Sequence, residues 1–175
     1  AEVRDRVIHT LVARRLETLY QRSFIAHSFS CQADRGTHCA VRAVINMCRR
    51  QSRNYSHNFW YLKCDVKKFF DNIDHEILLS ILCKKIKDEK FIWLINKIVE
   101  SFYAVTPKTG LPLGNFTSQW LGNIYLNELD YFVKQQLHIR RYVRYADDFL
   151  VLNESREDLI RVLKETKCYL SDVLK

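Results

Sequence analysis

Glycine and proline are scarce in this chain, at four and two among 175 residues. Gly110, Pro112 and Gly114 fall together, so residues 109–114 (TGLPLG) make the only loop rich in them. No apolar run approaches the length that spans a bilayer, and the N-terminus shows no signal-peptide pattern. The cysteines are Cys31, Cys39, Cys48, Cys64, Cys83 and Cys168, and none stands in a CxxC pair. That spacing argues against a zinc site. Scattered through apolar stretches, they read as reduced, buried thiols of a cytosolic protein. Internal repeats and low-complexity tracts are also missing.

What is present is a basic chain with apolar residues to spare. These make up 47%, enough for a real core. Lys and Arg number 28 against 20 Asp and Glu, a net charge of +8. The balance favours a polyanionic partner, either nucleic acid or an anionic membrane. The length fits one domain, or one and a fragment of a second. The chain ends inside a helical pattern, as an excised fragment would.

Hydrophobic periodicity predicts a helix over 4–20, with Val7, Ile8, Leu11, Val12, Leu16 and Leu19 on its inner face. An irregular stretch over 28–35 precedes a helix over 38–51 that Thr37 is placed to cap. Arg35, just ahead of that helix, marks either a phosphate site or a plain loop. Residues 59–66 (FWYLKCDV) read as a buried strand carrying Asp65 near its end, where an acid is costly unless paired or bound to a metal. Asp74 is positioned to cap a helix over 75–86, and further helices follow over 89–103, 118–137 and 154–174. Within 141–152, β-branched and aromatic residues flank Asp147 and Asp148, the pattern of a hairpin with both carboxylates in its turn. Asp also occurs in turns for its own hydrogen-bonding reasons. The expected fold is α+β, with a small antiparallel sheet backed by helices.

If the strand ending at Asp65 lies beside the hairpin, three carboxylates from two distant segments gather at one sheet end. Such a set suits two divalent cations about 3.5–4 Å apart. Mg²⁺ prefers a few carboxylates plus substrate phosphates. On a basic protein, that points to phosphoryl or nucleotidyl transfer.

The residues of these segments resemble a known family. Tyr145-Ala146-Asp147-Asp148 with its apolar flanks resembles the catalytic hairpin of reverse transcriptases, and 63–73 (KCDVKKFFDNI) resembles their first catalytic motif. Residues 109–119 (TGLPLGNFTSQ) resemble their nucleotide-pocket loop, while 4–7 (RDRV) and 29–40 (FSCQADRGTHCA) resemble fingers motifs. The five blocks stand in family order. The resemblance implies a right-hand polymerase with fingers over 1–58 and palm over 59–175, partly mixed around 75–110. The later palm motifs and the thumb are expected to be absent, so residues 1–175 alone should bind nucleic acid weakly and polymerise poorly.

It also implies roles. Asp65, Asp147 and Asp148, with the Val66 carbonyl, would hold two Mg²⁺ ions, or Mn²⁺. The partners would be an RNA template, a DNA or RNA primer and a dNTP, in a bacterial or phage cytoplasm, with no membrane and with a basic accessory protein. Arg35, Phe69, Phe70, Leu113, Gly114 and Gln119 would form the nucleotide pocket, with Gln32, Ser118 and Tyr145 near nucleic acid. Phe70 sits where the family keeps a steric gate against ribose; otherwise it is core beside Phe69.

Two departures stand out. Gln32 replaces a usual Arg, losing a charge-assisted grip and leaning slightly toward a non-catalytic RNA-binding relative. Leu113 replaces the Gln common before the pocket glycine. The form LGNxxSQ resembles enzymes of diversity-generating retroelements, in which this apolar residue accompanies error-prone copying. A group II intron protein that also binds intron RNA is the alternative, as is a Leu113 that merely fills an apolar pocket.

Overall fold

The computed structural model describes residues 3–102, 107–112 and 114–175, and among these the chain gathers into two units built from segments distant in sequence. One comprises Ala1–Ser23, Lys68–Tyr125 and Leu174–Lys175; the other comprises Phe24–Lys67 and Leu126–Val173.

The first unit is helical. It holds α1 (Val3–Tyr20), α3 (Phe69–Asn72), α4 (His75–Lys85), α5 (Glu89–Glu100) and the first part of α6 (Phe116–Tyr131). Helices α4 and α5 start where short acids accept the orphan amides of a first turn: Asp74 from Ile77 N at 3.0 Å and Asp88 from Phe91 N at 3.1 Å. The α1 stripe faces differently from the expected one. Val12, Ala13, Leu16 and Tyr20 are buried, while Val3, Val7 and Leu11 are exposed. The Thr117 hydroxyl donates to the His9 carbonyl at 2.9 Å, tying α1 to the start of α6.

The second unit holds the sheet. Strands β2 (Trp60–Asp65), β3 (Tyr142–Tyr145) and β4 (Asp148–Asn153) pair antiparallel, as the sequence implies. A fourth strand, β1 (Ser28–Phe29), adds parallel to β3, so the order is β1-β3-β4-β2 and the sheet is mixed. Helix α2 (Thr37–Gln51) covers one face, where Ala40, Phe29 and Val143 form a core cluster. Helix α7 (Arg156–Tyr169) packs on β2 and β4, capped by Ser155, whose hydroxyl accepts from Asp158 N at 3.0 Å. Its buried face is Leu159, Val162 and Thr166, while the expected Ile160 is exposed.

Gly36, not Thr37, is the N-cap of α2, and it makes no side-chain cap bond. Strand β2 is an edge strand rather than a buried one: Trp60 and Tyr61 are exposed, and Arg156 lies over the Trp60 ring at 5.7 Å. The cysteines are less buried than expected, with Cys83 and Cys168 exposed and the other four half-buried.

At the centre of this unit is a fully buried ion pair. The Arg144 guanidinium donates to Asp130 through Nε at 2.8 Å and Nη2 at 2.7 Å, and the Tyr142 hydroxyl donates to the same carboxylate at 2.7 Å. A buried charge left without its partner costs far more than the pair contributes. Arg144→Leu, which strands Asp130, is expected to destabilise the protein by about 3–5 kcal/mol in chemical denaturation. The double variant Arg144→Leu/Asp130→Leu is expected to recover a large part of that loss, giving a strongly non-additive cycle.

Candidate active site

The hairpin turn is tighter than the sequence suggests. Tyr145 pairs directly with Asp148, so the turn is Ala146-Asp147 and Asp148 is the first residue of β4. Ala146 adopts φ 53°, in the left-handed region that a residue with a Cβ rarely occupies. Three bonds hold it there. Its amide donates to Phe29 O at 3.3 Å, its carbonyl accepts from Arg144 Nη1 at 2.9 Å, and the Arg144 amide donates to His27 O at 2.9 Å. The same guanidinium reaches Ser28 Oγ at 2.9 Å through Nη2. One side chain therefore ties β1, α6 and the turn together. Sequence reasoning passed over Arg144 and Asp130; a basic residue inside a strand that must be buried was the available signal.

Register brings Asp65 to this turn. Asp65 is the direct partner of Asp148 across β2 and β4, which puts both side chains on one face. The Val66 amide donates to Asp147 O at 3.3 Å. Burial, and then the neighbouring charges of Asp65 and Asp148, hold the Asp147 carboxyl above the ordinary carboxylate range. Lys63, one pleat away from Asp65 on the same face, stands 3.8 Å from Asp148. Among the described residues no three acidic, His or Cys side chains are grouped so that they could hold a metal ion. The backbone gathers the carboxylates, and like-charge repulsion falls on Asp147. Carboxylate oxygens are donors of the kind a hard divalent cation takes. An apolar groove of about 500 Å³, lined by Val41, Val44 and Leu150 among others, opens beside Lys63 and Asp148.

The other expected site residues divide between the units. Within the second, the Tyr145 hydroxyl meets Thr37 Oγ1 at 3.0 Å, which is where the displaced cap residue finds its partner. Gln32 is buried and donates to Ser28 O at 3.1 Å, so it braces β1 rather than facing solvent. Arg35 donates through Nη1 to the carbonyls of Ile25 and Ala26, both at 3.2 Å.

Within the first unit, Phe69 is buried, with its ring edge-on to Phe70 at 5.1 Å. The Leu111 amide donates to Phe70 O at 2.7 Å, which fastens the loop to α3. Gly114 has φ 89° and Gln119 is exposed, while Ser118 is buried and turned away from solvent. Leu113 lies outside the described residues. A further residue emerges that the sequence reading missed. A Cβ on Gly122 would come within 3.1 Å of both the Phe69 and the Phe70 rings, so this glycine lets α6 approach them closely. Glycine inside a helix costs about 1 kcal/mol relative to Ala, and that cost was the signal to ask what it admits.

The family model described as reverse transcriptase (RNA-dependent DNA polymerase) matches residues 1–173. The group II intron-encoded protein LtrA of Lactococcus lactis subsp. cremoris is 35% identical, the match covering 98% of this chain and 39% of that protein. An uncharacterised 91 kDa protein in the cob intron of Schizosaccharomyces pombe is 32% identical over 75% of this chain and 16% of its own length. The chain thus spans well under half of these relatives. Among solved structures, apo telomerase from Candida tropicalis, truncated from its C-terminal domain, superposes with a TM-score of 0.62 at 14% identity, covering 97% of this chain and 37% of that one. Telomerase from Candida albicans with a fragment of telomeric RNA gives 0.61 at 10% identity, over 94% and 32%. At such identity the structural likeness speaks for the fold, an α+β fingers and palm fragment. The family match extends over nearly the whole length, and the chain belongs to the reverse transcriptase family.

Proposed function

We propose that the protein is an RNA-directed DNA polymerase that extends a primer 3′-hydroxyl with dNTPs. The observation that carries this reading is the register that sets Asp65 opposite Asp148 beside the Asp147 turn, in a chain of this family. Asp65, Asp147 and Asp148, with the Val66 carbonyl, would hold two Mg²⁺ ions. When bound, these supply a lowered pKa at the attacking hydroxyl and neutralise charge on the leaving pyrophosphate. The chain's own part is to fix the carboxylates on paired strands and to keep the turn from relaxing. Family motif spacing supports Phe70 as the gate against ribose and Arg35 as a triphosphate contact.

The identity to an intron-encoded protein favours a second reading, in which the protein also binds the RNA of a group II intron. The retroelement reading rests on Leu113. An apolar side chain there withholds a hydrogen bond from the correct nucleotide, which narrows its advantage over a mispaired one.

Asp147→Asn is expected to abolish primer extension on an RNA template while RNA binding persists. A carboxyl held above its ordinary value favours the fold only while protonated. Its contribution therefore turns unfavourable as pH rises through that value, and it stays so at neutral pH without a cation. Asp147→Asn should therefore raise the melting temperature of the metal-free protein at pH 7, and added Mg²⁺ should stabilise the parent more than the variant. Equal Mg²⁺ responses would count against the metal assignment.

Phe70→Val should raise rNTP use relative to dNTP by about tenfold or more in parallel extension assays. Leu113→Gln should lower the error rate in sequenced products; an unchanged spectrum removes the retroelement reading and leaves the intron one.

A further inference from the structure

A cavity of about 580 Å³ lies in the second unit beside α2 and β1, reaching from Arg140 and Arg141 at the open end of the hairpin to Phe29. None of Asp65, Asp147 and Asp148 lines it, while Phe29 on its wall pairs with Tyr145. Arg42 and Arg50 on α2 form one wall, and Arg140 and Arg141 ahead of β3 form another. Arg42, Asn46 and Arg50 follow one another at four-residue spacing and so share a helix face, spread over about 12 Å. No carboxylate lines the cavity, and among the described residues none of the four guanidinium groups makes an ion pair.

Further positive charge stands close by. Lys134 donates to the carbonyls of Ile139 and Arg140 at 3.1 and 2.7 Å. Burial, then the charges of Lys134, Arg35 and Arg50, hold the His27 imidazole on the cavity wall below its ordinary range. The floor is apolar, supplied by Phe29, Ala43 and Met47.

Four unneutralised guanidinium groups around an apolar floor are costly together and useful against one kind of ligand. We propose that this cavity binds single-stranded RNA on residues other than the catalytic carboxylates, with phosphates on the arginines and one base against Ala43 and Met47. The size is that of a ligand pocket rather than a flat charged surface. Guanidinium planes can stack on a base as well as pair with phosphate, which an acidic peptide would not exploit. The choice of RNA rests on the reading of the protein as one that handles RNA; the site itself does not need the polymerase chemistry.

The test is an anisotropy titration of the protein with labelled oligouridylate across a salt series, with polyglutamate of matched charge in parallel. Arg42→Gln/Arg50→Gln and Arg140→Gln/Arg141→Gln are each expected to weaken RNA binding about fivefold or more, and to lower the salt slope by about 1. The His27 resonance should titrate at higher pH in the parent's RNA complex than in the free protein. Asp147→Asn should leave all of this unchanged while losing extension, so failure of the polymerase reading and failure of this site are separately visible. Should one double variant not fold, the other reads the same cavity from its opposite wall. RNA affinity and slope unchanged in the folded variants would overturn the proposal. So would polyglutamate binding more tightly than RNA and being lost in the same variants, which would assign the cavity to an acidic protein.

Discussion

A guanidinium and a carboxylate wholly shut off from water, Arg144 and Asp130, meet in a bidentate contact at the centre of the second unit. Burying the two ions is expensive, and their attraction offsets that only when the remaining donors and acceptors are also used. Here they are. Tyr142 supplies a third hydrogen bond to Asp130, and Arg144 spends its other donors on Ser28 and on Ala146 O. The fork geometry of arginine lets one residue serve a helix, a strand and a turn at once, which lysine could not do with a single nitrogen. The pair is thereby less a source of net stability than a device that permits one arrangement of β1, β3 and the turn.

That arrangement includes local strain. A left-handed Ala146 costs about 1–2 kcal/mol compared with a relaxed turn. Glycine would remove the penalty, and also much of the definition of where Asp147 points. Bonds to both the amide and the carbonyl of Ala146 hold the strained backbone in place. The parallel strand β1, only two residues long, is explained by the same need: its Phe29 carbonyl is one of those two anchors.

Much of this was legible in the chain. The hairpin, the three antiparallel strands and the cap at Asp74 follow from local chemistry, because alternation and short polar acceptors act over a few residues. What escaped depends on partners far away. Two residues of β1 carry no period of their own and become a strand only because β3 offers an open edge. On α1 and α7 the apolar residues exceed what one face can bury, so tertiary packing chose Val12 and Leu16, or Leu159 and Val162, and left Val7 and Ile160 outside. The burial of Gln32, with its amide on Ser28 O, likewise depends on β1 being in place. Arg144 was hidden for the opposite reason: flanking apolar residues marked the strand, and nothing local showed that its charge would be met by Asp130, fourteen positions earlier.

The edge position of β2 completes the logic of the site. Like charges set directly opposite each other on paired strands are destabilising, and this sheet puts Asp65 against Asp148 with Asp147 beside them. A one-residue slip would turn Asp65 to the other face and relieve the repulsion. The hydrophobic alternation of β2 against β4 resists that slip, with Leu62 opposite Val151 and Cys64 opposite Phe149. Lys63 neutralises part of the charge from an exposed position, and a lysine on an edge strand also discourages pairing with a stranger's strand. The sheet thus keeps an unfavourable electrostatic arrangement at its exposed β2 edge.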